Sequence, residues 1–352
     1  MPRSFRDGLP PIALSQGDPS GIGPEITLKA WIRAREKQDV PPFFVVADPD
    51  VLAATARSLN LNAPVKLARP AEAASMFAHA LPVCPLGHSA AAGPGAPDVR
   101  NAAGAISAIE TCVKLVQAGE AAAAVTNPIA KELFYRAGFR HPGHTEFLAE
   151  LAERYWGERA KPVMLIWSPK LAVVPATIHV PLARVPSLLT RELLVSTGLI
   201  VAKSLASRFG LKNPRLAFTG LNPHAGEGGT MGREEAEVIA PALAELSAAG
   251  VTVSGPHAAD TLFRPGARKT YDVVIAMYHD QALIPVKTIA FEKGVNVTLG
   301  LPFVRTSPDH GTAFGIAGKG VADPASLIAA LQLAGRLARR NSFRAVREQR
   351  RG

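Results

Sequence analysis

The chain has 352 residues, 47% hydrophobic and 19% charged, which is enough apolar material for a packed core and excludes a disordered chain. Its 30 glycines and 30 prolines follow no period, which excludes a collagen-like repeat, and its two cysteines, Cys84 and Cys112, cannot build a disulfide framework and read as small buried apolar residues in a reducing compartment. The net charge of +10 is local: residues 336–352 hold seven arginines against Glu348 and carry +6, the other 335 residues carry +4, and Phe343 is the lone aromatic of that tail, so it reads as a helix end with a frayed terminus and not as a nucleic-acid surface. No apolar run approaches the roughly 18 residues of a membrane helix, and no signal-type stretch follows Arg3 and Arg6. A cytoplasmic protein with no nucleic-acid or membrane partner is expected.

Strand-like runs alternate with helical patterns along the chain. Residues 12–16 read as a strand, 24–35 as a helix opened by proline and glutamate, and 43–47 as a buried strand. Asp48-Pro49 is a helix start that carries the next helix to about Leu59. Residues 65–68 and 81–85 are short strands, and 86–100 reads as a flexible loop with His88 solvated. A helix over 101–118 places Ile106, Ile109, Val113 and Val116 on one side and Lys114 outside. A strand over 121–126 and a short helix over 131–136 follow. The second stretch repeats the alternation: a strand pair over 163–167 and 171–178, a long helix over 191–209, a strand over 216–219, a helix over 234–249, strands over 251–254, 273–277 and 295–299, and a last helix over 324–340. This order predicts an α/β protein with mixed, mostly parallel sheets covered on both faces, in two domains.

In open α/β sheets, ligands sit beyond the carboxyl ends of strands. Three of the nine histidines directly follow strand-like runs: His179 in ATIHVP, His224 in TGLNPHAGEGG and His279 in IAMYHDQ. Imidazoles from three strand ends could converge on one divalent metal and leave positions open for substrate. Taken singly, each is more simply a hydrogen-bonding loop residue. Asp280 follows His279, and Asp260 lies in PHAADTLF. Either could orient an imidazole, ligate the metal or take a proton. Lys287 in LIPVK, Asn296 in GVNVTLG and Arg305 in LPFVRTSPDHG suit a phosphate or carboxylate, or are ordinary surface groups. His144-Thr145 open a predicted helix whose free N–H groups could meet an anion, or Thr145 is simply its cap. The glycine-rich segments GDPSGIGPE and GEGGTMG match neither a dinucleotide fingerprint nor a phosphate loop and read as tight turns.

At these residues the sequence resembles a known family. GDPSGIGPE, TNPIAKELF, GHTEF, GLNPHAGEGGTMGREE, MYHDQ and GVNVTLGLPFVRTSPDHGTAFGIAGKG closely resemble the PdxA family of 4-hydroxythreonine-4-phosphate dehydrogenases, over about residues 12–333. DHGTAFGIAGKGVADP also resembles the adenosine-contacting loop of isocitrate and isopropylmalate dehydrogenases, to which the family is related in fold. The resemblance implies two α/β/α domains, 1–133 plus 306–352 and 134–305, with the active site in the cleft between them. It implies that His179, His224 and His279 bind a divalent metal (zinc, magnesium, cobalt or manganese) shared between the subunits of a homodimer. Three imidazoles favour zinc or cobalt among these. It implies that His144, Thr145, Lys287, Asn296 and Arg305 bind substrate, that Asp260, Asp280 and Lys287 serve catalysis, and that His310, Gly311, Thr312 and Asp323 bind NAD or NADP. The reaction implied is oxidation of 4-phosphooxy-L-threonine to 2-amino-3-oxo-4-(phosphooxy)butanoate, which decarboxylates to 3-amino-2-oxopropyl phosphate in pyridoxal 5'-phosphate biosynthesis. The alternatives are a related dehydrogenase of a 4-phosphorylated threonate or erythronate or of a terephthalate-type dihydrodiol, and a metal-dependent aldolase or hydrolase without nicotinamide.

Overall fold

The computed structural model describes residues 8–141, 143–290 and 293–349, with 341–349 described by their backbone alone. The chain divides into two compact units, residues 1–162 with 301–352, and residues 163–300.

The first unit is built on six parallel strands. They are β1 (Ile12–Ser15), β2 (Phe43–Ala47), β3 (Val65–Leu67), β4 (Leu81–Pro85), β5 (Ala124–Thr126) and the returning β12 (Arg305–Pro308), in the order β3-β4-β2-β1-β5-β12. Successive strand residues point to opposite faces. Ala13, Phe44, Val46 and Ala124 pack with Ala108 and Cys112 of the helix Asn101–Gln117. The helix Ala325–Gln349 packs on β12 and β5, and Thr306 donates its hydroxyl to the Ala330 carbonyl at 2.9 Å. A parallel strand covered on both faces needs the apolar runs seen in β1 and β2, which are buried along their whole length. Asp48 caps the helix Pro49–Ser58 by accepting from the Asp50 N–H at 3.0 Å, as its sequence predicts.

The second unit holds β6 (Val163–Trp167), β7 (Ala172–Thr177), β8 (Arg215–Thr219), β9 (Thr252–His257), β10 (Val273–Tyr278) and β11 (Val295–Leu299), in the order β11-β6-β7-β10-β8-β9. β6 runs antiparallel to both β11 and β7, and the rest are parallel. The expected strand pair is thus a hairpin, turned by Ser168, whose hydroxyl accepts from the Lys170 and Leu171 N–H groups. On one face, Ile166, Val173, Val274 and Ala276 pack with Ala282, Leu283 and Val286 of the helix His279–Ala290.

The structure differs from the sequence reading in several places. The expected division at 133/134 and 305/306 falls at 162/163 and 300/301. The helix His144–Trp156 stays with the first unit because Phe147, Leu148 and Leu151 share a core with Ile109, Val113, Phe134, Leu301 and Phe303. The helix His279–Ala290, with Pro285 inside it, was not foreseen. The helix Arg191–Ser204 gives way to a π turn over Leu205–Phe209, and a second π turn, Glu235–Ile239, precedes the helix Ala240–Ala248. The loop 86–100 is anchored, not loose: Ala90 N–H donates to Asp48, Ala91 N–H to Asn101 and Gly95 N–H to the Ser20 carbonyl. His88 is exposed, as expected. The last helix runs to Gln349 instead of ending near Arg340. The frayed end expected for the Arg-rich tail, like Arg3 and Arg6, lies outside the described residues from 350 onward and before 8.

Candidate active site

Ten of the fourteen sequence-predicted residues fall into three clusters, and His224, Asp260, Lys287 and Asn296 lie outside them. The first is built around Arg305, the first residue of β12, which is 5% exposed. Its Nη2 donates to the buried hydroxyl of Thr126, the last residue of the adjacent β5, at 2.6 Å, and to Nδ1 of His144 at 3.2 Å. Burial pushes the guanidinium down to about 9, so it keeps its charge at neutral pH after losing much of its water. His144 opens the helix His144–Trp156 behind an extended Gly143. Its pKa is held well below 6.5, by burial first and then by the Arg305 and Lys131 charges. A guanidinium has no acceptor, so His144 takes Arg305's hydrogen at Nδ1 and carries its own proton at Nε2. That Nε2 is covered and has no hydrogen-bond partner among the described residues. Thr145, half-buried beside it, makes no side-chain cap. Two donors, a buried cation and the start of a 13-residue helix make a place for an anion.

The depressed pKa of His144 has a consequence for stability. Below about 6.5 the unfolded chain binds a proton at this histidine that the folded chain refuses, so stability is full above 6.5 and falls as pH drops. Replacing His144 by Asn is expected to flatten the acid side of the stability curve, by at most about 1.4 kcal/mol per pH unit. Urea midpoints measured from neutral to mildly acid pH for both proteins test this, and parallel curves would refute it.

The second cluster joins His179 and His279. His279 follows β10 directly and starts its helix, while His179 lies two residues past the neighbouring β7. Their ring centroids are 5.6 Å apart. Both line a pocket of about 260 Å³ with Thr177, Leu182, Tyr278 and Asp280. Asp280 Oδ1 lies 2.7 Å from His279 Nδ1, which directs the Nε2 lone pair of His279 outward, the arrangement that suits an imidazole ligand. His179 has φ 50, a left-handed conformation rare for a residue other than glycine. Backbone held there against preference is common at functional sites.

His224 and Asp260 stand apart from this pair. His224 lies in the turn Pro223–Gly229, with φ 52, and the short helix Ala259–Leu262 bearing Asp260 packs against that turn. Among the described residues no group of three His, Cys, Asp or Glu side chains is gathered to hold a metal, so one chain brings together two of the three predicted histidine ligands. Lys287 is half-buried on the helix of His279, and Asn296 is half-buried on β11, opposite Ile166 of β6.

The third cluster is the segment 309–323. The Thr312 carbonyl accepts from the Ile22 N–H at 2.9 Å, which joins this segment to the GDPSGIGPE turn. Buried Glu25 accepts from the Ala322 N–H at 2.8 Å, and Lys29 donates to the Gly320 and Ala322 carbonyls at 2.8 Å. His310 and Gly311 are exposed, with His310 Nδ1 3.1 Å from the Gly311 carbonyl. Asp323 spends one carboxylate oxygen on the Ala325 N–H at 2.9 Å, so it serves the last helix as a cap.

Sequence reasoning missed Thr126, Glu235 and Gln281. Thr126 had a signal, since it ends a strand-like run in TNPIAK. Gln281 accepts from Thr219 Oγ1 and the Met277 N–H and donates to the Gly220 carbonyl, which ties the ends of β8 and β10 together. Nothing local in the sequence announces that role.

Residues 39–334 match the family model described as "Pyridoxal phosphate biosynthetic protein PdxA". The chain is 61% identical over 332 residues to a 4-hydroxythreonine-4-phosphate dehydrogenase of Methylorubrum populi, covering 94% of this chain and 95% of that one. The crystal structure of the 4-hydroxythreonine-4-phosphate dehydrogenase of Klebsiella pneumoniae superposes with a TM-score of 0.81 at 37% identity, covering 95% and 99% of the two chains. A terephthalate 1,2-cis-dihydrodiol dehydrogenase of Burkholderia xenovorans superposes with a TM-score of 0.61 at 28% identity, covering 93% and 98%.

Proposed function

The chain belongs to the PdxA family of pyridoxal phosphate biosynthetic proteins, and from that premise we propose that it oxidises 4-phosphooxy-L-threonine at C3 with NAD or NADP and a divalent metal. The product, 2-amino-3-oxo-4-(phosphooxy)butanoate, is a β-keto acid and loses CO2 to give 3-amino-2-oxopropyl phosphate. The observation that carries this reading is the pairing of His179 and His279 at neighbouring strand ends, with Asp280 on the far nitrogen of one ring. Two imidazoles with an oriented tautomer fit a borderline cation such as zinc or cobalt. When bound, the metal supplies Lewis acidity at the C3 hydroxyl and the nicotinamide accepts the hydride.

The protein's own groups do the rest. Arg305 and His144 hold the phosphate through charge-assisted bonds, and Lys287 and Asn296 take the remaining polar groups of the substrate. Asp280 fixes the His279 ring, which leaves Asp260, packed against the His224 turn and arriving with it from a second copy, or a water it holds, to take the hydroxyl proton. The segment 309–323 seats the cofactor. Exposed Ile316 and Val321 of the same segment offer apolar contact. The third histidine ligand, His224, comes from a second copy of the chain in a homodimer. Large exposed apolar side chains support this: Leu182 near His179 is 67% exposed, and Ile284 on the helix of His279 is 63% exposed. Among the described residues no single helix is long and apolar enough to cross a membrane.

The 4-phosphooxy-L-threonine reading stands above the dihydrodiol alternative because the relatives bearing the former name are more similar to this chain. The test is reduction of NAD and of NADP with 4-phosphooxy-L-threonine, a 4-phosphorylated erythronate and a dihydrodiol, each with and without a chelator. The expected result is turnover of the first substrate that a chelator abolishes and added zinc or cobalt restores. Full turnover in metal-free protein, or faster oxidation of another substrate, overturns the reading.

A further inference from the structure

The stretch GLNPHAGEGGTMG, residues 220–232, matches no phosphate or dinucleotide fingerprint, yet its glycines have a definite use. From His224 to Gly228, five successive residues are left-handed, with φ of 52, 53, 79, 42 and 67. Three of them, His224, Ala225 and Glu227, carry side chains, for which each such conformation is unfavourable. A run of this kind persists only where its surroundings over-determine it.

The surroundings are a buried carboxylate. Glu235 is 6% exposed and opens the π turn Glu235–Ile239. Its Oε1 accepts from the backbone N–H groups of Leu221 and Asn222, both at 2.8 Å, and its Oε2 accepts from Asn222 Nδ2 at 3.0 Å. Asn222 Nδ2 also donates to Glu234 Oε2 at 2.7 Å. A Cβ at Gly226 would stand 2.6 Å from Glu235 Oε2, and one at Gly232 would collide with the Asn222 amide. The glycines therefore admit the carboxylate and its amide partner to the inside of the turn. A π turn adds a residue to the helical repeat and is frequent at functional sites. Here it falls at the residue that holds the turn.

We propose that Glu235 is a positioning residue for His224: with Asn222 it locks the left-handed turn in the metal-free protein, so that the imidazole is presented to the cation without further ordering. This rests on the reading of His224 as a metal ligand. Preorganisation moves the ordering cost from metal binding to folding.

The experiment is calorimetric titration of the metal-free full-length protein with Co(II), for the wild type, Glu235→Ala, Glu235→Gln, Asn222→Ala and His224→Ala, with hydrogen exchange of residues 221–229 followed in the same metal-free samples. Glu235→Ala is expected to bind Co(II) about 10–100-fold more weakly, the range for loss of a group that supports a ligand. Its exchange at 221–229 should quicken while that of β10 stays as in the wild type. Glu235→Gln keeps an oxygen for the two backbone N–H groups but turns a donor toward Asn222 Nδ2, and is expected to recover only part of the affinity, binding between Glu235→Ala and the wild type. At saturating Co(II) the kcat of Glu235→Ala should return with the KM for the phosphorylated substrate unchanged, which a general loss of structure would not allow. Asn222→Ala removes one side-chain donor and should shift affinity in the same direction, which decides the matter if Glu235→Ala does not fold. Weak binding by His224→Ala with wild-type affinity in the Glu235 and Asn222 variants would overturn the positioning role alone. Wild-type affinity in His224→Ala would overturn the ligand reading, and the positioning role with it.

Discussion

Replacing Arg305 by Met is expected to raise the KM for the phosphorylated substrate by on the order of 30- to 1000-fold, about 2–4 kcal/mol, because it truncates one side of a buried, charged hydrogen-bonded contact. The size of the effect follows from the burial. Arg305 is 5% exposed, and burial alone pushes its guanidinium down to about 9. Its charge has therefore already been stripped of water, and an arriving phosphate need not displace that shell again. A surface arginine would give far less, since exposed pairs are worth about 1 kcal/mol or below. Arg305→Lys is not expected to restore binding. The ammonium has no planar fork to reach Thr126 and His144 and the ligand together. Steady-state kinetics with 4-phosphooxy-L-threonine, and with unphosphorylated 4-hydroxythreonine as a control, read the result. The control should lose little from the substitution. An unchanged KM for the phosphorylated substrate would remove Arg305 from the anion site.

The fold was legible where a segment's own chemistry decides its structure. The strands 43–47, 81–85 and 295–299 have the bounds their sequence predicts, because each is a short run, mostly apolar, between turn residues. Asp48-Pro49 announced its helix through a capping carboxylate and a proline at the first position. The helix His279–Ala290 was not legible, since Pro285 argues locally against it and the packing of Ala282, Leu283 and Val286 on β7 and β10 overrides that objection. The unit that takes helix His144–Trp156 was not legible either: the helix goes with whichever core takes Phe147 and Leu151, and no local signal names that core. The rule of strand ends singled out His179, His224 and His279, and one chain brings only the first and last together. That their rings would meet is a matter of sheet order, β7 beside β10, which the pattern of elements left open. The left-handed run at His224 contradicts the preferences of its own residues, and the carboxylate that holds it lies 11 positions further on, inside a π turn. Such a feature is written in contacts between segments and not in the segment itself.

Mixing two inactive variants is expected to restore activity for one pairing of histidine substitutions and not for another. Each of His179→Ala, His224→Ala and His279→Ala should lose bound metal, and with it several kcal/mol of transition-state stabilisation, on the order of 1000-fold or more in kcat. The structure pairs His179 with His279 in one chain, and among the described residues no third ligand joins them. If His224 is contributed across a two-fold axis, each site draws His179 and His279 from one copy and His224 from the other. A heterodimer of His279→Ala with His224→Ala then has one site that is broken twice and one that is intact. Equal mixing after dissociation and reassociation puts about half of the protein into such heterodimers, so about a quarter of the wild-type activity should return. His179→Ala mixed with His279→Ala should return none, because both defects fall within the same copy's share of every site. If all three histidines served from one chain, neither mixture would recover, since every chain would carry a defect of its own. Recovery in the first mixture alone therefore identifies both the shared site and the division of ligands, and recovery in neither would return the metal to a single chain or remove it altogether.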